Sequence, residues 1–278
     1  MARDPPQQVV DQGLEVRLLT DDTKIGFGHQ LLMVSLDHRG RARAMGWTWV
    51  RVARGHSSAT KQQALLACLR GLFPVGAAVT IAADSEFGAV AVPKQSAQWQ
   101  WGYVMPQKRD ACVQLTDQHI WLRFDSLAQK SACPRWLADA QLTRKHGYTV
   151  DLVARWKAGE REPWLLATSS PTLRDGLRTY KRRPWIEEMF DDFKKHGSDL
   201  ERSHLRHILR PSRLILIVTL LYVWSAALGS QVIKRGQRHP VDRADRRDLS
   251  IFGVSLSSVG RLPVNDQPSV LRLAPCFW

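Results

Sequence analysis

The amino-acid sequence predicts an α/β fold in which helices flank a mixed sheet, and three observations support this prediction. Three strand-like runs come first, a helical run separates them from a fourth strand, and two of these strands lead into an aspartate. This order is typical of a sheet that buries its faces against helices. Polar residues at strand ends lie where a site can open, so both aspartates are candidate functional residues.

The first part of the chain contains four of the predicted strands and one predicted helix. Apolar runs predict strands over residues 14–20, 31–36, 42–52 and 79–83. A turn sequence at 37–40 separates the second strand from the third. Leucines recur at helical spacing over 58–73, and Ser57 or Ser58 can cap this helix. Asp21 follows the first strand and Asp84 follows the fourth.

The middle of the chain reads as a β-rich insertion. Polar turns separate strand-like runs at 101–106, 112–115, 120–124, 148–154 and 164–168. Helices are predicted over 171–180 and 184–195, and Pro184 and Gly197 are suited to the start and the end of the second. The segment 214–229 is uncharged over sixteen residues. A bilayer span needs roughly 20, so a buried core helix is predicted there.

These elements predict five segments along the chain. They are a disordered N-terminal segment (1–13), the first part of an α/β core (14–99), the β-rich insertion (100–170), the second part of the core with the helix that Pro184 opens (171–230) and a basic C-terminal tail (231–278).

The charge balance predicts a polyanionic partner. Forty Lys and Arg residues against 26 Asp and Glu residues give a net charge of +14. Such a surplus favours nucleic acid first and an anionic membrane second. The four cysteines form no Cys-x-x-Cys pair, which indicates reduced thiols and a cytoplasmic protein rather than a zinc site.

Three acidic residues are candidate metal ligands: Asp21, Asp84 and Glu187, the last in the first turns of the helix that Pro184 opens. Three carboxylates from distant parts of a sheet and a helix can hold two divalent ions that promote phosphoryl displacement. Each residue also has an ordinary structural interpretation, because Asp is common at strand ends and Glu is common in a first helical turn.

The helix around Glu187 carries a second pattern, Y-x2-R-x3-E-x6-K, formed by Tyr180, Arg183, Glu187 and Lys194. Glu187 and Lys194 are seven residues apart and therefore share a helix face. The two cations can bind phosphates and the phenol can donate a hydrogen bond. The alternative is a surface helix with ordinary salt bridges.

The run YKRRPWIEEMFDDFKKHG at 180–197 resembles the signature of bacterial DDE-type insertion-sequence transposases, which place Tyr-Arg-Glu-Lys around a third acidic residue. DDTKIGFG at 21–28 resembles the first motif of that family and IAADSEFG at 81–88 the second. The stretches 46–58 and 199–205 are similar to its connecting segments.

This resemblance implies an RNase H-like catalytic core, interrupted by a β-rich insertion before the third acid. It implies two Mg²⁺ (or Mn²⁺) ions held by Asp21, Asp84 and Glu187. The implied reaction is strand cleavage at transposon ends followed by transfer of the 3′-hydroxyl into target DNA, with a homodimer in the DNA complex and no membrane partner.

The resemblance also implies DNA contacts. Tyr180, Arg183 and Lys194 would contact phosphates near the transferred end. Trp164, which begins the sequence WLLATS, would stack on an extruded base. An ordinary core position for this tryptophan is the equally weighted alternative.

Departures from the family pattern leave alternatives open. Asp22 and Ser85 stand where many members carry arginine, and either Asp21 or Asp22 can be the first ligand, although the Asp-x-Thr spacing favours Asp21. Only twenty residues precede Asp21, so the resemblance implies either a truncated copy without an end-recognition region or one that relies on another polypeptide. The alternative functions are a non-catalytic DNA-binding remnant and an RNase H-like nuclease.

Overall fold

The computed structural model describes residues 15–25, 29–50, 57–145, 147–194, 198–200, 209–243, 245 and 247–264. The predicted disordered segment 1–13 lies outside these residues, as do Gly197 and parts of the motif stretches 21–28, 46–58, 180–197 and 199–205. The chain divides into two compact units. The first contains Met1–Asp22 and Gln30–Ile186, and the second contains Thr23–His29 and Glu187–Trp278. The division into five segments made from the sequence remains a prediction.

All ten strands form one mixed sheet, in the order β3-β2-β1-β4-β5-β10-β9-β8-β6-β7. Their bounds are β1 Val16–Ile25, β2 His29–His38, β3 Arg41–Val50, β4 Val79–Ala83, β5 Gly102–Pro106, β6 Cys112–Gln114, β7 Trp121–Arg123, β8 Arg135–Leu142, β9 Tyr148–Arg155 and β10 Trp164–Thr168. The predicted mixed sheet with flanking helices is therefore confirmed. The strands of the predicted insertion extend this sheet, since β5 is the first of them and pairs in parallel with β4.

Six α-helices accompany the sheet in the described part of the chain. They are α1 Ala59–Arg70, α2 Ala91–Gln98, α3 Leu173–Tyr180, α4 Pro184–Lys194, α5 Leu209–Lys234 and α6 Ile251–Val264. Ser58, one of the two predicted caps, accepts a hydrogen bond from the Lys61 backbone nitrogen at the start of α1. Helix α1 packs on β3, where Gly46 leaves room for the Leu69 side chain.

One parallel strand pair positions the two predicted aspartates. Strands β1 and β4 are parallel, and their register ends with Thr20 opposite Ala83. Asp21 and Asp84 are the next residue on each strand path, so they emerge side by side. The prediction that β1 stops before Asp21 is wrong, because β1 continues to Ile25 and Asp21 lies within it.

Two elements of the first unit were not predicted from the sequence. Helix α2 carries Pro93, which is tolerated because it lies in the first turn. Strand β8 lacks a strict two-residue alternation, because a register shift lies between Leu137 and Ala140 and Asp139 adopts a positive φ of 51°. Such a bulge moves the buried side chains out of the period that identifies a strand.

The second unit has a helical core built around Tyr222 of α5. Its ring lies 5.4 Å from the Phe193 ring and 5.5 Å from the Phe252 ring, measured between centroids. Phe252 belongs to α6, a helix within the segment that was predicted only as a basic tail. Gly253, Gly260 and Pro263 weaken the helical pattern of this segment in the sequence.

Helix α5 is longer and less buried than the predicted core helix. It has 26 residues, and it is the one helix among those described that is long and apolar enough to cross a membrane. A core helix passes the same test of length and composition, and α5 buries one face against α6. The prediction of burial is wrong for the opposite face, where Ile217 is 62% exposed and Leu220 is 64% exposed.

Candidate active site

Asp21 and Asp84 converge on one guanidinium group. The Nη2 atom of Arg183 lies 3.1 Å from Oδ2 of Asp21 and 3.3 Å from Oδ1 of Asp84. Asp21 is buried, with 7% of its surface exposed, and its Oδ1 accepts a hydrogen bond from the backbone nitrogen of Asp22. Two carboxylates that follow neighbouring strands therefore share a single cation.

The short connection between α3 and α4 carries Arg183 into this position. The backbone nitrogen of Arg183 donates to the Tyr180 carbonyl at 3.0 Å, and Ile186 donates to the Arg183 carbonyl at 3.2 Å. The chain therefore stays tightly wound between the two helices. Sequence analysis predicted Arg183 as a phosphate contact, and the structure adds that its side chain is bound to both aspartates.

The neighbouring residue, Arg182, anchors the same connection to the β2–β3 turn. Its Nη1 atom lies 2.6 Å from Oδ2 of Asp37, whose side chain is 3% exposed. Its guanidinium also lies 5.6 Å from the Trp185 ring, and that ring approaches Gly40, which turns the chain with a φ of 76°. Sequence reasoning did not single out Asp37 or Arg182. The sequence feature that could have indicated these contacts is the pair of consecutive arginines, because Arg182 binds Asp37 and Arg183 binds Asp21 and Asp84.

A second carboxyl pair lies beside the first. The Asp22 side chain is close enough to the Glu86 carboxyl group for that group to disfavour its charged form. Burial, together with the hydrogen bond and charge of Glu86, raises the pKa of Asp22 to about 8. Ser57 donates to Glu86 from Oγ at 3.5 Å. Of the two adjacent aspartates, Asp21 is the one that meets Asp84.

Trp164 and Tyr180, both predicted DNA contacts, touch each other. Their rings meet edge to face with centroids 4.8 Å apart. The guanidinium carbon of Arg155 lies 4.3 Å from the centroid of the Trp164 ring. Trp164 is half-buried, and Trp164 and Tyr180 pack against a small apolar cluster. The Trp164 ring therefore has two neighbours in this structure: the Arg155 guanidinium over one face and the Tyr180 ring in an edge-to-face contact.

Glu187 and Lys194 lie on α4 in the second unit. Glu187 is exposed in the first turn and Lys194 is half-buried in the last. The apolar residues of this helix are buried, as the sequence predicts: Ile186, Met189, Phe190 and Phe193. Asp192 is buried too and accepts a hydrogen bond from the hydroxyl of Ser250 at 2.8 Å.

The chemistry of the first-unit donors suits a hard divalent cation. Oxygen ligands are what Mg²⁺ takes in proteins, and the two aspartate oxygens already converge on a positive charge. Among the residues that the structure describes, no group of three or more His, Cys, Asp and Glu side chains is close enough to hold an ion. Asp21 and Asp84 thus form a two-carboxylate site occupied by Arg183.

Comparison with known proteins gives no family. No protein-family model matches the sequence, and no curated protein matches it. Among solved structures, the chain is similar to a piggyBac transposase synaptic complex with hairpin DNA, at 11% sequence identity and a TM-score of 0.47. The match covers 92% of this chain and 55% of that one, so the chain spans about half the length of the solved protein. A likeness this distant carries no functional conclusion.

Proposed function

We propose that this chain is a DDE-type DNA transposase of the insertion-sequence class, with an RNase H-like catalytic core. The proposed reaction is metal-dependent strand cleavage at transposon ends, followed by 3′-hydroxyl strand transfer into target DNA. The proposed catalytic acids are Asp21, Asp84 and Glu187. The Tyr180-Arg183-Glu187-Lys194 pattern, present in order after the two aspartates, supports the choice of Glu187 as the third acid.

The observation that carries the proposal is the meeting of Asp21 and Asp84. These residues are 63 positions apart in the chain, and the motifs at 21–28 and 81–88 had identified both as candidate ligands from the sequence alone. Strands β1 and β4 bring them to one nitrogen atom. Two carboxylates this close to one cation repel each other unless positive charge lies between them, so the pair is suited to binding cations.

The residues of the chain have separate roles in the proposed reaction. Two Mg²⁺ or Mn²⁺ ions, when bound, would supply a nucleophilic hydroxide and stabilise the leaving oxygen. Asp21 and Asp84 would each give a carboxylate oxygen to these ions, with Glu187 as the third ligand. Lys194 and Arg183 would bind phosphate oxygens, and Tyr180 would donate a hydrogen bond to one.

The proposed partner is DNA, both the transposon ends and the target, in the cytoplasm. The net charge of +14 supports a polyanionic partner. Joining two ends in one reaction supports a homodimer in the DNA complex. Trp164 is proposed as the residue that receives an extruded base, and a base would have to share its ring with Arg155 or displace it.

The test is cleavage of labelled duplexes that carry the ends of the element, in Mg²⁺. Wild type should nick the terminus, and Glu187→Gln should bind the duplex but leave it intact. Glu188→Gln is the matched control, because Glu188 is an exposed neighbour on the same helix turn. Cleavage by Glu187→Gln at the wild-type rate rejects the proposal. Binding by wild type without cleavage in any divalent metal would instead indicate a non-catalytic DNA-binding protein.

A further inference from the structure

Helix α3 carries a row of cations on its outer side. Arg174, Arg178 and Lys181, here called the α3 ridge, are spaced i, i+4 and i+7, which places them on one helix face. All three side chains are exposed. The opposite face is apolar and packs against the sheet, with Leu173, Leu177 and Tyr180 beside the cluster of Val104, Val153 and Leu166.

The ridge differs from the two arginines that follow it. Arg182 and Arg183 turn inward and each binds an aspartate. Within the described part of the chain, the ridge side chains have no ion pair, hydrogen bond or ring contact. The one acid on the helix, Asp175, accepts a hydrogen bond from the Thr172 hydroxyl at the helix start.

An unpaired row of this kind is unfavourable for the helix that carries it. Like charges at i, i+3 and i, i+4 destabilise a helix, and both spacings occur within the ridge. The helix dipole offsets part of that repulsion, because Arg178 lies in the last turn of α3 and Lys181 follows it. No described side chain pairs with the three cations, so the row is available to an external anion.

We infer that the α3 ridge binds consecutive phosphates of the DNA strand on which the Asp21–Asp84 pair acts. The ridge extends over the seven residue steps from Arg174 to Lys181, about 10 Å along the helix axis. One strand of B-DNA presents a phosphate about every 3.4 Å along its axis, so the row matches about three phosphates in length. The ridge and the aspartate pair belong to the same unit, and Lys181 lies two residues before Arg183.

Contacts of this kind position a duplex without reading its sequence. The inference rests on the proposed function, because that function names DNA as the partner. It adds the residues that hold the backbone, and it places them outside the Tyr180-Arg183-Glu187-Lys194 pattern. Arg183 is engaged by Asp21 and Asp84 in this structure, and the ridge adds three cations that have no such partner.

The test replaces the ridge charges and measures DNA affinity over a salt series. The ridge variant is Arg174→Gln/Arg178→Gln/Lys181→Gln, and the probe is a short fluorescein-labelled duplex followed by anisotropy. The control variant is Lys145→Gln/Lys157→Gln/Arg161→Gln, which removes the same charge from exposed positions elsewhere in the first unit. Glutamine is a good helix former, so the ridge variant should keep the wild-type circular dichroism and thermal midpoint.

The expected result is a change in salt dependence confined to the ridge variant. The slope of log Kobs against log[salt] should decrease by about 0.9 for each phosphate that the variant no longer neutralises. The control variant should keep nearly the wild-type slope. Arg174→Lys/Arg178→Lys, which keeps both charges, should also keep it. If the triple glutamine variant folds poorly, Arg174→Gln and Arg178→Gln are measured singly, and each should decrease the slope by about 0.9.

Two results overturn the inference. One is a ridge variant that binds the duplex with the wild-type slope. The other is an equal decrease in the ridge and control variants, which would make the effect one of net charge. Ridge-dependent binding to phosphatidylserine vesicles with unchanged DNA binding would assign the ridge to a membrane and count against DNA. Failure of the proposed function is a separate result, seen as absent Mg²⁺-dependent cleavage by the wild type.

Discussion

Arg183 lies 3.1 Å from Asp21, with its Nη2 atom against a carboxylate oxygen of a residue 162 positions earlier in the chain. The same nitrogen reaches Asp84. Divalent cations that bind the two aspartates would have to compete with this guanidinium, because they would use the same oxygens. In the proposed function, Arg183 would exchange the two aspartates for a DNA phosphate when metal ions bind the aspartates.

Replacing Arg183 should destabilise the protein and increase its response to metal. Arg183→Gln leaves two carboxylates next to each other without a cation, at a cost of about 1–3 kcal/mol in the free energy of unfolding. Mg²⁺ or Mn²⁺ should then raise the thermal midpoint of the variant more than that of the wild type, since no guanidinium has to be displaced. Differential scanning fluorimetry with and without metal measures both effects.

The control for this experiment is Arg174→Gln, which removes an exposed arginine from the preceding helix. It should change neither the thermal midpoint without metal nor the shift on adding metal. Equal metal-induced shifts in Arg183→Gln and in wild type would show that Arg183 does not compete for the ion.

The buried pair of Arg182 and Asp37 should matter for stability. Arg182→Met leaves Asp37 buried without its cation, and removing one partner of a buried pair typically costs about 3–5 kcal/mol. Adding Asp37→Asn to Arg182→Met removes the unpaired carboxylate charge, so the double variant should recover part of the lost stability. Urea unfolding of the two single variants and the double variant measures this. Purely additive effects would contradict a direct interaction.

His38, in the same turn, should make stability depend on pH. Burial, together with the charges of Arg43 and Arg39, lowers the pKa of His38 from 6.5 to about 4. Between these values the unfolded chain binds a proton that the folded protein does not, so stability should fall as pH falls through this window. His38→Gln should lose less stability between pH 6.5 and 4. Urea unfolding at several pH values tests this, and parallel curves for the two proteins would contradict it.

Lys194 should contribute one phosphate contact from α4. Lys194→Ala should weaken binding of a DNA duplex and reduce the slope of log Kobs against log[salt] by about 0.9. Lys194→Arg keeps the charge and should keep the slope. A slope for Lys194→Ala that equals the wild-type value would remove this lysine from the set of DNA contacts.

Much of the sheet could be predicted from the sequence because its strands are either strongly apolar or bounded by turn residues. Strands β4 and β10 have the predicted bounds, and a turn at Arg39 and Gly40, shorter than the predicted 37–40, separates β2 from β3. Strand β8 was missed because a bulge breaks its alternation. Helix α6 was missed because glycines and a proline lower its local helix propensity.

The candidate site was predictable in part for a different reason. Motif order identified Asp21, Asp84 and Arg183, but a motif states which residues matter and not what each one contacts. The ion pair of Arg183 with both aspartates depends on the register of β1 and β4 and on the winding of the chain after α3. The partners of Asp37 and Glu86 depend on the same long-range geometry.

The central claim is that Asp21, Asp84 and Glu187 bind common metal ions, and iron-mediated cleavage of the polypeptide tests it most directly. Fe²⁺ bound in place of Mg²⁺ is oxidised by added hydrogen peroxide, which yields hydroxide and a hydroxyl radical, and added ascorbate reduces the Fe³⁺ again. The radicals cut the chain next to the metal ligands, and the fragments identify those positions. The proposal predicts cuts near all three residues in wild type, each suppressed by excess Mg²⁺ and absent in Asp84→Asn. Cuts near Asp21 and Asp84 without any near Glu187, or no Mg²⁺-sensitive cuts at all, would contradict it.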